Sequence, residues 1–139
     1  DLIPEHHGTR LMTYFYQKAQ EANEGKEGQV DECDFRYPGP KPQSKEAAIL
    51  MLADQVEAAA RTLQKPSPGQ IRGMIRRLIQ ATITERQFDE CDITMKDLDQ
   101  ILGAFERVIT GMHHHRIEYP GFEFNKQVEE PRPQIQRVQ

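Results

Sequence analysis

Apolar positions recur at intervals of three and four residues in four separate stretches of the chain. The stretches cover roughly residues 8–22, 44–64, 67–86 and 94–115. Side chains with this spacing lie on one face of an α-helix, so the pattern predicts four amphipathic helices. No stretch shows the strict alternation of a half-buried strand, and the predicted fold class is all-α, a helical bundle. The stripe expected to face the core from the fourth helix contains Leu98, Ile101, Leu102, Phe105, Val108, Ile109 and Met112.

The second helix is unusual because apolar residues lie almost all round it between residues 47 and 61. A helix of this kind belongs in the centre of a bundle. Asp54 lies within it, four residues after Leu50 and four before Ala58, so we expect this carboxylate on a buried face. A buried carboxylate is costly unless it is paired or coordinates a cation. Metal binding and an ion pair, with Arg61 or with an arginine of the third helix, are equally good explanations at this point.

Polar residues mark where the predicted helices begin. Ser44 is a favourable N-cap for the second helix. Residues 67–70 form a capping box with proline at the first helical position of the third helix, and residues 94–97 open the fourth helix in the same way. Residues 37–42 carry three prolines, which exclude a helix and favour an extended path between the first two helices.

Charge and cysteine content narrow the classes of function. With a formal net charge of −4, the chain lacks the basic surface that binding to a nucleic acid polymer requires. Cys33 and Cys91 each lie in an Asp-Glu-Cys-Asp sequence, where acidic neighbours raise the pKa of a thiol and disfavour a nucleophilic role. No stretch approaches the ~20 apolar residues of a membrane-spanning helix. We therefore expect a soluble chain in a reducing compartment.

His6 and His7 are the first candidates for chemistry. Adjacent side chains diverge by about 100° on a helix and about 180° on a strand, so two neighbouring imidazoles chelate one ion poorly but can address two sites. A surface pair at a helix start is the alternative interpretation. His113, His114 and His115 fan around the end of the fourth helix, where positive charge complements the helix dipole. We expect no metal site there.

Four segments of the sequence are similar to one protein family. They are residues 5–9 (Glu-His-His-Gly-Thr), 34–48, 52–59 and 116–120. Together they resemble the HD-superfamily metal-dependent phosphohydrolases, and more narrowly the cytoplasmic HD domain of the seven-transmembrane-receptor HD proteins of the PgpH type. The resemblance covers nearly everything up to about residue 119, and the long middle run is its specific part.

The resemblance implies an all-α fold around two divalent metal ions, with iron or manganese as the usual ions. It also implies hydrolysis of the bacterial second messenger cyclic di-AMP to the linear dinucleotide by a hydroxide that the two ions activate. The His-His pair of the family matches His6 and His7, and its late aspartate matches Asp54. These three residues are the predicted metal ligands. The resemblance implies that His6 binds one ion, that Asp54 holds the other, and that His7 is a ligand or faces the scissile phosphate. Glu5 is expected to orient an imidazole N–H from behind the ligands.

The proline-rich loop is placed by sequence where it can shape a nucleotide pocket. Tyr37 is a candidate for stacking on an adenine ring. Arg36, Lys41 and Lys45 are candidates for contacts with phosphate. The alternative for each of these four residues is an ordinary exposed loop position.

The sequence departs from the family pattern in one respect, because it contains no His-Asp dipeptide. We expect that this chain supplies only part of the site, and that the upstream half of the domain and the transmembrane region of a larger membrane protein precede it. Residues 1–122 are interpreted as the C-terminal portion of the domain, on the cytoplasmic side of the bacterial plasma membrane, and residues 123–139 as a polar, disordered tail. The alternative is a catalytically inactive helical module that regulates or senses nucleotides on the same scaffold.

Overall fold

The structure is a computed structural model that describes residues 2–114. Within this range the chain forms five α-helices and one short 3₁₀ helix, Glu32–Phe35, and no strand. The helices are α1 (Leu2–Glu5), α2 (Thr13–Asn23), α3 (Lys45–Ala60), α4 (Pro68–Thr84) and α5 (Met95–His114). The predicted all-α fold class is confirmed. None of these helices is both long and apolar enough to cross a membrane.

The core lies between α3, α4 and α5. These three helices pack against one another, and α1 packs against α3. The burial of their apolar faces removes hydrocarbon surface from water and is the main stabilising contribution to the fold. The buried core side chains are Leu52, Val56, Ala60, Ile71, Met74, Ile75, Ile79, Leu98, Ile101, Leu102 and Ile109.

Two expectations about burial are wrong. Helix α3 is not buried all round, because Ile49 and Leu50 are each 40% exposed. Val108 and Met112 of α5 are also exposed, although they belong to its predicted core stripe. Within the described range these four side chains face away from the core between α3, α4 and α5.

Helix α2 begins later than residue 8 because the chain before it is extended. The Met12 N–H donates to the Phe35 carbonyl at 2.7 Å, and the Tyr37 N–H donates to the Arg10 carbonyl at 3.0 Å. These two bonds pair the segment with the stretch after the 3₁₀ helix, so its backbone cannot also make helical bonds. The first helical residue is therefore Thr13.

The predicted helix starts are confirmed at atomic detail. The Ser44 Oγ accepts the Ala47 N–H at 3.2 Å, and Ser67 and Gln70 form a complete capping box. Asp97 and Thr94 cap the start of α5 in the same reciprocal way. Two helices end earlier than predicted. Helix α3 ends at Ala60, where Thr62 and Leu63 donate to carbonyls three residues back, and α4 ends at Thr84, shortly before the positive φ of Arg86 (59°).

Some predictions fall on residues 115–139, which lie outside the described range. They concern His115, the segment at residues 116–120 and the polar tail at residues 123–139.

Candidate metal centre

Helices α1 and α3 bring the two predicted stretches together. His7 Nδ1 lies 4.0 Å from Asp54 Oδ2. This separation is too long for a hydrogen bond, and two metal–ligand bonds of ~2.0–2.2 Å would cover it only with the ion nearly on the line between the two atoms. The described structure thus brings two of the three predicted ligands close together.

Asp54 does not lie on a buried face, and that expectation is wrong. Its side chain is 48% exposed, because Gln55 and Val56 are the residues that turn towards the core. Arg61, the alternative partner, pairs instead with Glu57 at 2.8 Å. The Asp54 carboxylate is therefore open to solvent on the side that His7 occupies, and it needs no buried counter-ion.

The hydrogen bond of His6 selects its tautomer. His6 Nδ1 contacts the Ile3 carbonyl oxygen. A carbonyl only accepts, so a proton lies on Nδ1, and in the neutral imidazole the lone pair then lies on Nε2. Ligand histidines in metalloproteins commonly donate one ring N–H to a backbone carbonyl in this manner. His6 is therefore prepared to bind an ion through Nε2.

His7 lies between two other rings, and its surroundings favour the neutral imidazole. Its ring centroid is 3.8 Å from that of His6 and 4.4 Å from that of Tyr37, with which it is stacked at an interplanar angle of 13°. Burial and the neighbouring charge of His6 lower the pKa of His7 below its usual value, and Asp54 opposes them. A neutral imidazole is the form that binds a metal ion.

Glu5 anchors the segment that precedes the two histidines. Its side chain is buried, and Glu5 Oε2 accepts the N–H of Gln43 at 3.1 Å. This hydrogen bond lowers the pKa of the Glu5 carboxyl. Gln43 immediately precedes Ser44, the N-cap of α3, so the bond ties the histidine segment to the start of that helix. The predicted role of Glu5 in orienting an imidazole stays a prediction.

A buried glutamine that the sequence did not indicate holds the turn after the histidines. Gln87 follows α4 and is 1% exposed. Its Oε1 accepts the Thr9 N–H at 3.0 Å, and its Nε2 donates to Thr9 Oγ1 at 3.0 Å. The Arg36 guanidinium also donates to the Thr9 carbonyl at 3.0 Å. A glutamine in a loop distant in sequence belongs to no motif, so no signal in the sequence pointed to it.

The four candidate substrate residues occupy different environments. Tyr37 contacts His7 directly. Arg36 binds Thr9 and is also paired with Glu32. Lys45 Nζ lies 2.9 Å from Asp97 Oδ2.

The fourth candidate, Lys41, is half-buried, and its carbonyl accepts the Gln43 Nε2–H at 2.9 Å. Contacts with substrate remain a prediction for all four residues. Tyr37 is the one that the structure brings against a predicted ligand.

Arg10 adds a positive charge that sequence reasoning missed. Its side chain is half-buried, and burial lowers its pKa while the carboxylates of Glu85 and Asp54 oppose that shift. An arginine in such a setting remains protonated. It therefore provides a fixed cation near Asp54, suited to contact with an anionic group.

The environment of the two cysteines agrees with their predicted inertness. A hydrogen bond and the negative charge of Asp31 raise the pKa of the exposed Cys33 thiol. Burial is the largest cause that raises the pKa of Cys91. Both thiols are therefore poor nucleophiles near neutral pH.

The described residues alone do not complete a metal site. Between residues 2 and 114, no group of three or more His, Cys, Asp or Glu side chains is arranged to hold an ion. Protein metal sites usually provide at least three ligands. The donor types of His6, His7 and Asp54 suit a divalent transition metal, and their number agrees with the expectation that this chain supplies part of the site.

Comparison with known proteins identifies clear relatives. No protein-family model matches the chain. It is 48% identical over 120 residues to the cyclic-di-AMP phosphodiesterase PgpH of Bacillus subtilis. It is 42% identical over 120 residues to the protein of the same name from Listeria monocytogenes. These matches cover 86% of this chain but 16% of each relative.

Solved structures show the same relationship. The HD domain of L. monocytogenes PgpH in complex with cyclic di-AMP matches with a TM-score of 0.75 and 42% sequence identity. That match covers 85% of this chain and 54% of the solved chain. A second structure of this domain matches with a TM-score of 0.72. The chain thus spans about half the length of the solved domain.

Proposed function

Because this chain is homologous to the C-terminal part of the HD domain of the PgpH cyclic di-AMP phosphodiesterases, we propose that it forms the downstream half of a catalytic domain of that kind. The complete domain hydrolyses cyclic di-AMP to the linear dinucleotide. The observation that supports this function best is the approach of His7 and Asp54 to 4.0 Å, since both residues match the family's metal-ligand positions.

HD phosphohydrolases are metal-dependent, and we propose that this domain uses two divalent ions, iron or manganese. Such ions polarise phosphoryl oxygens and lower the pKa of a coordinated water when they are bound. His6 would contribute Nε2, because its Nδ1 is committed to the Ile3 carbonyl. His7 and Asp54 would contribute the facing imidazole and carboxylate. Burial lowers the pKa of His7, which favours the neutral imidazole that binds a metal ion.

The substrate would enter beside this pair of ligands. Tyr37 offers an aromatic surface that is already aligned with His7, and an adenine ring can stack on its other face. Arg10 is a fixed cation near Asp54 and suits a phosphate oxygen. Lys41 and Arg36 would add positive charge at the edge of the loop.

The upstream half of the domain would pack on the exposed apolar surface next to the ligands. Leu50 lies one helical turn before Asp54 on the same face of α3 and is 40% exposed. Leu2 and Ile3 of α1 are 44% and 78% exposed. Exposed apolar side chains beside an incomplete site suit a docking surface. The remaining metal ligands would come from the half that covers it.

Turnover of cyclic di-AMP tests this proposal. The assay uses a longer protein that contains this chain together with its upstream sequence, here called the extended protein. We expect it to convert cyclic di-AMP to the linear dinucleotide, to lose activity when a chelator removes divalent ions, and to regain it with Mn²⁺ or Fe²⁺. Binding of cyclic di-AMP without hydrolysis and without metal dependence would favour the inactive nucleotide-sensing module instead.

A further inference from the structure

We infer that Gln87 is a positioning residue for the candidate metal centre, because it clamps the turn that fixes the orientation of His6 and His7. This inference rests on the proposed function, since it assigns Gln87 a role in the metal site that the function requires. Gln87 would touch neither metal nor substrate. It would act through the backbone of Thr9, two residues after His7.

Both polar atoms of the Gln87 carboxamide make hydrogen bonds. Its oxygen accepts the backbone N–H of Thr9, and its nitrogen donates both to Thr9 Oγ1 and to the Glu85 carbonyl, each at 3.0 Å. The side chain is 1% exposed, so water cannot replace these bonds cheaply. One side chain thus fixes both the backbone and the hydroxyl of Thr9.

Gln87 also lies very close to Gly8, the residue before Thr9. Gly8 has a φ of +57°, and a Cβ at this position would lie 2.4 Å from Gln87 Oε1. The carboxamide therefore occupies the space that any other residue would need. The hydrogen bonds of Gln87 to Thr9 are therefore compatible only with glycine at position 8.

The backbone of Gln87 is itself held to a core helix. The Gln87 N–H donates to the Thr82 carbonyl of α4 at 3.2 Å, which fixes Gln87 to the end of a core helix. At the other end of the histidine segment, Glu5 accepts the Gln43 N–H at the start of α3. His6 and His7 therefore lie between two fixed points, and Gln87 provides the downstream one.

The effect of losing the clamp follows from how metal ligands are held. Groups that orient a metal ligand without touching the ion typically change metal affinity by ~10–100-fold when removed. Gln87 acts through two residues of backbone, so we expect the lower end of this range, about tenfold. Methionine is nearly isosteric with glutamine and makes none of the three hydrogen bonds. Gln87→Met is therefore the direct test.

The chain offers a matched control in another buried glutamine–threonine pair. Gln55 Nε2 donates to Thr82 Oγ1 at 3.2 Å, and both residues are buried between α3 and α4. Gln55→Met removes the same chemistry from the core without a contact to the turn at Gly8 and Thr9. Gln87→Met removes three hydrogen bonds, whereas in Gln55→Met the Thr82 hydroxyl still donates to the Leu78 carbonyl at 2.8 Å, so we expect the Gln87 variant to lose more stability.

Three measurements on the extended protein separate the two variants. They are Mn²⁺ affinity by calorimetry, cyclic di-AMP turnover, and hydrogen–deuterium exchange of the Thr9 and Arg10 amides in the metal-free protein. We expect Gln87→Met to weaken Mn²⁺ binding about tenfold, to lower turnover and to speed exchange at Thr9. Gln55→Met should leave all three unchanged at a temperature where both variants are folded.

If the wild type is active and Gln87→Met keeps the wild-type Mn²⁺ affinity and the wild-type exchange rate at Thr9, the inferred role of Gln87 is wrong. The proposed function would then be unaffected. A wild-type extended protein that neither binds Mn²⁺ nor turns over cyclic di-AMP would overturn the proposed function itself. If Gln87→Met does not fold, Thr9→Val against Thr62→Val makes a similar comparison, because the Thr62 hydroxyl donates to the Ala59 carbonyl and not to Gln87. Thr9→Val removes the hydroxyl partner of the clamp, and an Mn²⁺ affinity equal to that of Thr62→Val would contradict the inference.

Discussion

His7→Ala should lower cyclic di-AMP turnover of the extended protein by more than ~100-fold. Replacement of groups that only support a metal ligand already costs ~10–100-fold, and His7 is proposed to be a ligand itself. The loss should accompany a lower content of bound metal, because Asp54 then faces no imidazole at 4.0 Å. Turnover and metal content measured on the same preparation test both parts. Asp54→Ala should have the same two effects for the same reason.

The control for His7→Ala is His114→Ala. His114 is an exposed histidine in the last turn of α5, and we assign it no role in binding. Its replacement removes an imidazole from the protein without touching the turn at residues 6–9. His114→Ala should keep wild-type turnover and metal content. Full activity and full metal content in His7→Ala would show that the metal-ligand assignment is wrong.

Gly8→Ala should destabilise the chain by about 2–5 kcal/mol, because two separate costs add. The left-handed backbone at φ +57° is unfavourable for alanine, and the new Cβ would lie 2.4 Å from Gln87 Oε1 and 2.6 Å from Met51 Cε. Both side chains end in flexible atoms, but neither has room to withdraw. Gln87 is held by three hydrogen bonds, and Met51 is fully buried. Urea unfolding of the 139-residue chain measures the difference.

Gly25→Ala separates the two costs. Gly25 also has a positive φ, +82°, but a Cβ there meets nothing within 4 Å. This variant carries only the backbone cost of about 1–2 kcal/mol. If Gly8→Ala and Gly25→Ala lose the same stability, the close approach of Gln87 to the turn contributes nothing. A loss at Gly8 that is clearly larger supports the tight fit of the clamp.

Local signals explain what the sequence could predict about the fold. The caps at Ser44, Ser67 and Thr94 depend on hydrogen bonds within one helical turn, so a few neighbouring residues determine them. The core stripe of α4 follows from spacing along one helix. The start of α2 could not be predicted in this way. It depends on the pairing of Met12 with Phe35, a contact between segments distant in sequence.

The candidate site, like the fold, could be predicted only in part from the sequence. His6, His7 and Asp54 were assigned through similarity to a family, and spacing alone left each with an ordinary alternative. The burial of Asp54 was inferred from the apolar residues around it, but burial depends on which elements cover a helix. Gln87 was missed because its function arises from a bond to Thr9 across the fold. A single sequence shows residue types and local spacing, and contacts of this kind appear only in the folded chain.

The most direct test of the central claim is a metal titration that compares this chain with the extended protein. The described residues bring together too few ligands for a site. We therefore expect the 139-residue chain to bind Mn²⁺ weakly and the extended protein to bind two ions tightly. Calorimetry gives both the stoichiometry and the affinity. Tight binding of two ions by the 139-residue chain alone would contradict the claim that it supplies only half of the metal centre.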